Sequence, residues 1–157
     1  MALQEQARAA LQTAAGPFRL SIEDAPQRLD CELTAVESLA CAFSSFELST
    51  SALADATPER LKRLGEKLSA RLTYLLEPIS PIEIDRERCV VQLRSNPPER
   101  DADRTSYYEL VVERGGALSL CRYAKAPGDV RQTVPVNVTR EVFLRLIGDF
   151  SSVAATA

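Results

Sequence analysis

The stretch TPERLKRLGEKLSARLTYLLE, residues 57–77, limits the folds open to this chain more than any other. Thr57 suits a helix N-cap, and Pro58 falls at the first helical position, where a missing N–H costs nothing. At about 100° per residue, Leu61, Leu64, Leu68, Leu72 and Leu75 share one arc roughly 80° wide. Pro78 ends the run, because proline disfavours helical backbone at the residue before it. Leucines worth about 1.5–3 kcal/mol each when buried need an apolar surface to cover. Arg60, Arg63, Lys67 and Arg71 flank the stripe. Such a row could meet phosphate or an acidic partner, but aliphatic stems along an apolar margin with their heads in water account for it better. Gly65 costs about 1 kcal/mol against alanine in mid-helix and points to a close packing contact.

The surface for those leucines lies in the alternating segments around the helix. Phe18, Leu20 and Ile22 alternate with polar residues, as do Leu29, Cys31 and Leu33, with a turn at Ala25-Pro26-Gln27 between them. Residues 34–48 fit a helix, with Thr34 and Glu37 as a capping box, or a strand in which Leu39, Cys41 and Phe43 alternate and Phe46 and Leu48 resume after a break. The strand is favoured. After Pro78, residues 79–84 and 88–95 flank a charged turn, and 95–104 read as an exposed, mobile loop. TSYYELVVERGGALSLCRYAK then carries the strongest hairpin signal, since Gly115-Gly116 suits a two-residue turn needing positive φ. That turn sets Arg114 opposite Ala117, Leu110 opposite Cys121, Glu109 opposite Arg122 and Tyr108 opposite Tyr123. Tyr108, Leu110, Val112, Cys121 and Tyr123 then face the helix, while Tyr107, Glu109, Val111, Leu118, Leu120 and Arg122 face away. Val134, Val136 and Val138 follow, with Pro135 marking an edge strand. Thr139 caps a last helix, about 139–150, with Val142, Phe143, Leu146, Ile147 and Phe150 on its apolar side.

Residues 1–16 suggest a loosely docked helical arm or an oligomer contact, and 151–157 a frayed tail. With no repeat and no boundary, the 157 residues form a single domain. The fold class is α+β: a two-layer sandwich in which an antiparallel sheet is covered by the central and C-terminal helices.

Composition excludes several kinds of chemistry. There is no histidine, which removes imidazole-based catalysis and histidine-ligated metals. Cys31, Cys41, Cys89 and Cys121 form no CxxC pair and share strand faces with apolar neighbours, so they read as buried reduced thiols. Six scattered glycines make no phosphate-cradling loop, and no cofactor or metal is expected. Glu83 with Asp85 and Asp101 with Asp103 could pair as carboxylates, but neither has supporting residues nearby. Charge is uneven: 1–57 hold three Lys/Arg against eight Asp/Glu, and 58–157 hold sixteen against fourteen. No basic run interleaved with aromatics speaks for nucleic acid, and the short apolar runs and the N-terminal composition speak against a membrane span or signal peptide. A cytoplasmic location is expected.

The remaining constellation is Arg94, Tyr107, Glu109, Arg122, Tyr123 and Arg131. Guanidinium groups bind carboxylate or phosphate bidentately, so the cluster is a candidate anion or acidic-peptide site. A cross-strand Glu109–Arg122 pair beside a stacked Tyr107 explains it as structure, and that explanation is favoured because such pairs are ordinary in sheets. Two functions follow. One is a non-catalytic protein or peptide interaction module, chaperone-like or an adaptor and homodimeric, using the mixed sheet face with Val111, Leu118 and Leu120 or the edge strand after Gln132. The element order and acidic balance resemble the small secretion-chaperone-like α+β domains that dimerise and hold extended partner segments, which implies a peptide or protein client. The alternative is an enzyme or small-molecule or anion binder built on the Arg/Tyr cluster.

Overall fold

A computed structural model describes residues 1–156. It has three α-helices, α1 (Leu3–Thr13), α2 (Pro58–Arg71) and α3 (Arg140–Ala155), and ten strands. The strands are β1 (Phe18–Asp24), β2 (Gln27–Val36), β3 (Ala40–Thr50), β4 (Ile79–Asp85), β5 (Val90–Ser95), β6 (Glu99–Asp101), β7 (Arg104–Glu113), β8 (Ala117–Lys125), β9 (Gln132–Val134) and β10 (Val136–Thr139). They form one antiparallel sheet in the order β1-β2-β3-β8-β7-β5-β4, with β6 on β7, β9 on β8 and β10 on β3. α1 packs on β1, β2 and α3; α2 on β4, β5 and β7; α3 on β3 and β10. The chain is thus the expected two-layer α+β sandwich. Seven strands rather than four or five follow α2, because two of them are three-residue pieces.

Leu61, Leu64, Leu68, Leu72 and Leu75 are all buried. The α-helix nonetheless stops at Arg71, and Leu72–Leu75 wind into a tighter 3-10 turn instead of continuing to 77. Thr73 and Tyr74 are weak helix formers close to Pro78, and tightening the last turn keeps both final leucines inward. Thr57 caps α2 by accepting from the Arg60 N–H at 3.2 Å, and Thr139 caps α3 by accepting from Val142 at 3.0 Å. Gly65 is where α2 meets the sheet: a Cβ there would come within 2.8 Å of Leu93 Cδ1. Under α3, Phe43, Phe46, Phe143 and Phe150 form an aromatic core with centroids 4.8–6.1 Å apart.

The segment 34–48 is strand, as favoured. Its break is a bulge: the β2–β3 register jumps from Glu32↔Ser45 to Leu33↔Phe43, which lets Phe43 and Phe46 both enter the core. Leu39 does not join that face; it lies between the strands and is 80% exposed.

The β7–β8 hairpin differs from expectation by one residue. Glu113, not Arg114, opposes Ala117, so Arg114-Gly115-Gly116 form a three-residue loop. Leu110 therefore meets Leu120, Tyr108 meets Arg122, Glu109 meets Cys121 and Tyr107 meets Tyr123. The reason is tertiary: Gly116 O accepts from Thr50 N–H at 2.7 Å, and Arg114 N–H donates to Cys89 O at 3.0 Å. One loop end is held by β3 and the other by the turn before β5. Leu118 and Leu120 consequently sit fully buried in the core, and Cys121 moves to the outer face, half-buried instead of in the core.

β3 and β8 pair only at Phe46–Ser49 with Ala117–Leu120 and then diverge. Residues 132–139 fill this fork. β9 runs inward along β8, the chain reverses at Pro135, and β10 runs outward along β3. The segment expected to be an edge strand therefore lies between β3 and β8 as two short pieces, each still paired on one side only. Proline is tolerated because it stands at the reversal, where neither ladder asks for its N–H. The loop 95–104 likewise contains β6.

The termini are better seated than composition suggested. Leu3, Ala7 and Leu11 of α1 are buried, Gln4 donates to Leu144 O at 2.9 Å, and Arg140 Nη1 donates to Leu11 O at 3.1 Å. α3 continues to Ala155 with Val153 and Ala154 buried, so 151–155 is helix instead of frayed tail.

Candidate functional site

The structure splits the expected cluster between the two faces of the sheet. Arg94, Tyr107, Glu109, Tyr123 and Arg131 come together on the face without helices; Arg122, through the changed register, lies on the helix face. Glu109 is 5% exposed and receives Arg131 Nη1 at 2.7 Å, with Arg94 Nη2 at 3.6 Å. It makes no pair with Arg122. Arg131 Nη1 also donates to the Tyr107 hydroxyl at 3.2 Å, and its guanidinium stacks on Tyr123 at 3.8 Å. Arg94 stacks on Tyr107 at 4.5 Å. The hydrogen bond to Tyr107 and the Glu109 carboxylate hold the Arg131 pKa above its ordinary value, against the effect of burial. Tyr123 is pushed up to about 12, first by its hydrogen bond with Cys121 and then by burial. Arg131 is thus engaged by hydrogen bonds and stacking, whereas Arg94 is held by stacking and the longer ion pair, its buried Nε without a hydrogen-bond partner among the described residues. The arrangement braces the 126–131 loop over Tyr107 and Glu109, which is why these outward residues are buried.

A different site opens on the helix face. The helix layer ends at Leu75, and beyond it an open cleft of about 590 Å³ lies between the end of α2, the loop before β6 and the Pro135 reversal in the fork. That volume falls in the usual range of about 300–1,000 Å³ for ligand sites. Tyr74, Leu75, Leu76, Pro78, Pro97, Pro98 and Pro135 supply mostly apolar walls. The polar part is Glu77, Glu99, Tyr108, Arg122 and Asn137. β8 delivers Arg122, and β7 delivers Tyr108 beside it. The Arg122 guanidinium stacks over the Tyr108 ring at 4.5 Å; its Nη1 lies 2.9 Å from Glu77 Oε2 and its Nη2 donates to Glu99 Oε2 at 2.8 Å. Burial raises the Tyr108 pKa, with Arg122 opposing that shift. Tyr74 is fixed by donating to Asp149 Oδ2 at 2.8 Å and by Arg145 stacked on its ring at 4.5 Å.

Leu76 stands at the rim with φ 66, in the left-handed region, and is 86% exposed. Sequence reasoning missed Glu77, Glu99 and Leu76. Nothing in their local spacing distinguishes them: the tight turn after α2 brings Leu76 and Glu77 to the cleft, and pairing of β6 with β7 brings Glu99 to Arg122. Among the described residues, no group of three or more His, Cys, Asp or Glu is placed to hold a metal ion, and no helix is long and apolar enough to cross a membrane. Set against protein-family models, curated proteins and solved structures, the chain matches none of them, so its site is read from geometry alone.

Proposed function

We propose that the protein is a non-catalytic interaction module, of chaperone or adaptor type, that binds a segment of a partner protein or peptide in the cleft beyond α2. The observation that carries this reading is Leu76. A leucine in the left-handed region costs roughly 1–2 kcal/mol, and at 86% exposure it recovers nothing from burial in the free chain. An apolar partner residue covering Leu76 would supply that burial. Proline and aromatic walls support the reading further, because rigid surfaces lose little entropy on binding. The floor presents few polar groups, and Arg122 ties three of them together by its contacts with Glu77, Glu99 and the Tyr108 ring, as expected of a site that orients its ligand.

Homodimerisation has less to support it than the cleft, since Leu118 and Leu120 are covered within this chain and only Val111 of the three stays half-buried on the outer face. β9 and β10, each paired on one side, lie in the fork between β8 and β3. Anion binding at the Arg/Tyr cluster has less support than the cleft, since Glu109 and the two tyrosines already occupy Arg94 and Arg131.

A random peptide library displayed on phage tests the proposal. The protein is expected to enrich a consensus containing an apolar residue. Leu76→Gly should stabilise the fold by about 1 kcal/mol by relieving backbone strain, yet weaken the consensus peptide about tenfold. Enrichment of no consensus at all would sink the reading.

A further inference from the structure

We infer that the cleft selects partner segments carrying a basic side chain, lysine or arginine, seated between Glu77 and Glu99; this rests on the peptide-binding reading above. The argument is one of charge and unmet hydrogen bonds. Glu77 and Glu99 share a single guanidinium, that of Arg122, which leaves one negative charge in surplus. Both carboxylates meet Arg122 through Oε2. Among the described residues, Glu77 Oε1 and Arg122 Nη1 are both buried with no hydrogen-bond partner, so the 2.9 Å contact between these two side chains is an ion pair that leaves each with an unmet hydrogen bond. The Glu99 side chain is 63% exposed at the mouth. A partner ammonium or guanidinium entering there meets one open carboxylate, with a second behind it that small side-chain movements bring into reach.

The rest of the cleft suits the same side chain. A lysine or arginine brings an aliphatic stem as well as a charge, and Pro97, Pro98 and Leu76 offer apolar surface to that stem. An acidic partner meets the opposite situation. It would have to displace Glu99 from Arg122 and then lie beside Glu77, exchanging one carboxylate for another. Arg122 itself is only 12% exposed and stacked on Tyr108, and its unmet Nη1 already lies 2.9 Å from Glu77 Oε2, so it is poorly placed to receive a third carboxylate.

The test uses the full chain and the phage-selected consensus peptide. The consensus is expected to hold lysine or arginine at one fixed position. Resynthesis with norleucine there should weaken binding to the wild type by about tenfold or more, the loss of one charge-assisted contact. Glu99→Gln, on a 63% exposed side chain whose amide oxygen can still accept from Arg122, should bind the lysine and norleucine peptides nearly equally. Glu77→Gln combined with Glu99→Gln leaves Arg122 uncompensated, and selection on that variant should turn to acidic residues. A wild-type consensus without a basic residue overturns the inference while leaving peptide binding intact, and so does a norleucine peptide that binds as well as the lysine one. The absence of any consensus removes the peptide reading itself.

Discussion

Gly115 and Gly116 are adjacent, both have φ near +95°, and they differ in what surrounds them. A Cβ on Gly115 meets nothing within 4 Å, whereas one on Gly116 would lie 1.9 Å from Thr50 O. Backbone oxygen cannot swing aside as a side chain can, and Thr50 is tied to this loop by its own N–H bond to Gly116 O. Gly115→Ala should therefore cost only the left-handed strain, about 1–2 kcal/mol. Gly116→Ala should cost more than about 3 kcal/mol, since β3 and β8 must part locally to admit the methyl group. Urea denaturation of the two variants separates the positions, and equal losses would contradict the geometry. Gly65 presents the milder case, where a methyl group would press on the end of a buried leucine side chain instead of backbone.

At the scale of the element, the 126–131 loop is held to the sheet by one residue. Arg131 binds Glu109, donates to Tyr107 and stacks on Tyr123, while Val130 beside it is 85% exposed. Arg131→Ala leaves the buried Glu109 carboxylate with Arg94 at 3.6 Å as its remaining cation. The expected cost is about 1–3 kcal/mol, reduced from that of a fully buried pair because Arg131 is 39% exposed. Hydrogen exchange should show the loop and the Tyr107–Glu109 amides opening together. Unchanged protection there would mean that the stacking is incidental. Which segments are helix or strand was legible, because the leucine stripe of α2 and the alternation in β1, β2, β7 and β8 are local patterns. Which residues face inward on β8 was not. A double glycine is compatible with a two-residue or a three-residue loop, and the choice was made by Thr50 at the end of β3 and Cys89 in the turn before β5. One residue of slip exchanged Leu120 for Cys121 in the core, carried Arg122 to the helix face, and so divided the candidate cluster. The cleft was beyond reach for the same reason: it is built by a fork in the sheet and a chain reversal at Pro135, neither of which leaves a periodic trace.

Across the whole molecule, the absence of histidine and the burial of weak acids together set the pH response. Burial raises the Cys31 pKa, with nearby Cys41 adding to the effect, and raises Cys41 itself to about 11. It likewise raises Cys121, Tyr74 and Tyr108, while Tyr123 reaches about 12. In the unfolded chain thiols ionise near pH 8.5 and phenols near pH 10. A group whose pKa is higher in the folded state favours folding fully below its unfolded pKa and loses that contribution as pH rises past it. Stability should thus begin to fall at about pH 8.5, first through the thiols and then through the tyrosines. On the acid side the sign reverses. Arg28, with help from Ser21, holds Asp30 below the ordinary carboxylate range, so its contribution is present above about pH 4 and lost as pH drops further. Between these limits no histidine titrates. The urea midpoint should stay level from about pH 6 to 8 and decline on either side of a broad plateau. Cys31→Ala combined with Cys41→Ala will lower the plateau by opening a cavity, but it should also flatten the first part of the alkaline decline, because the ionising groups are gone. A midpoint that already falls between pH 6 and 8, or an alkaline slope unaltered by losing both thiols, would show that burial of these acids is not what limits the fold.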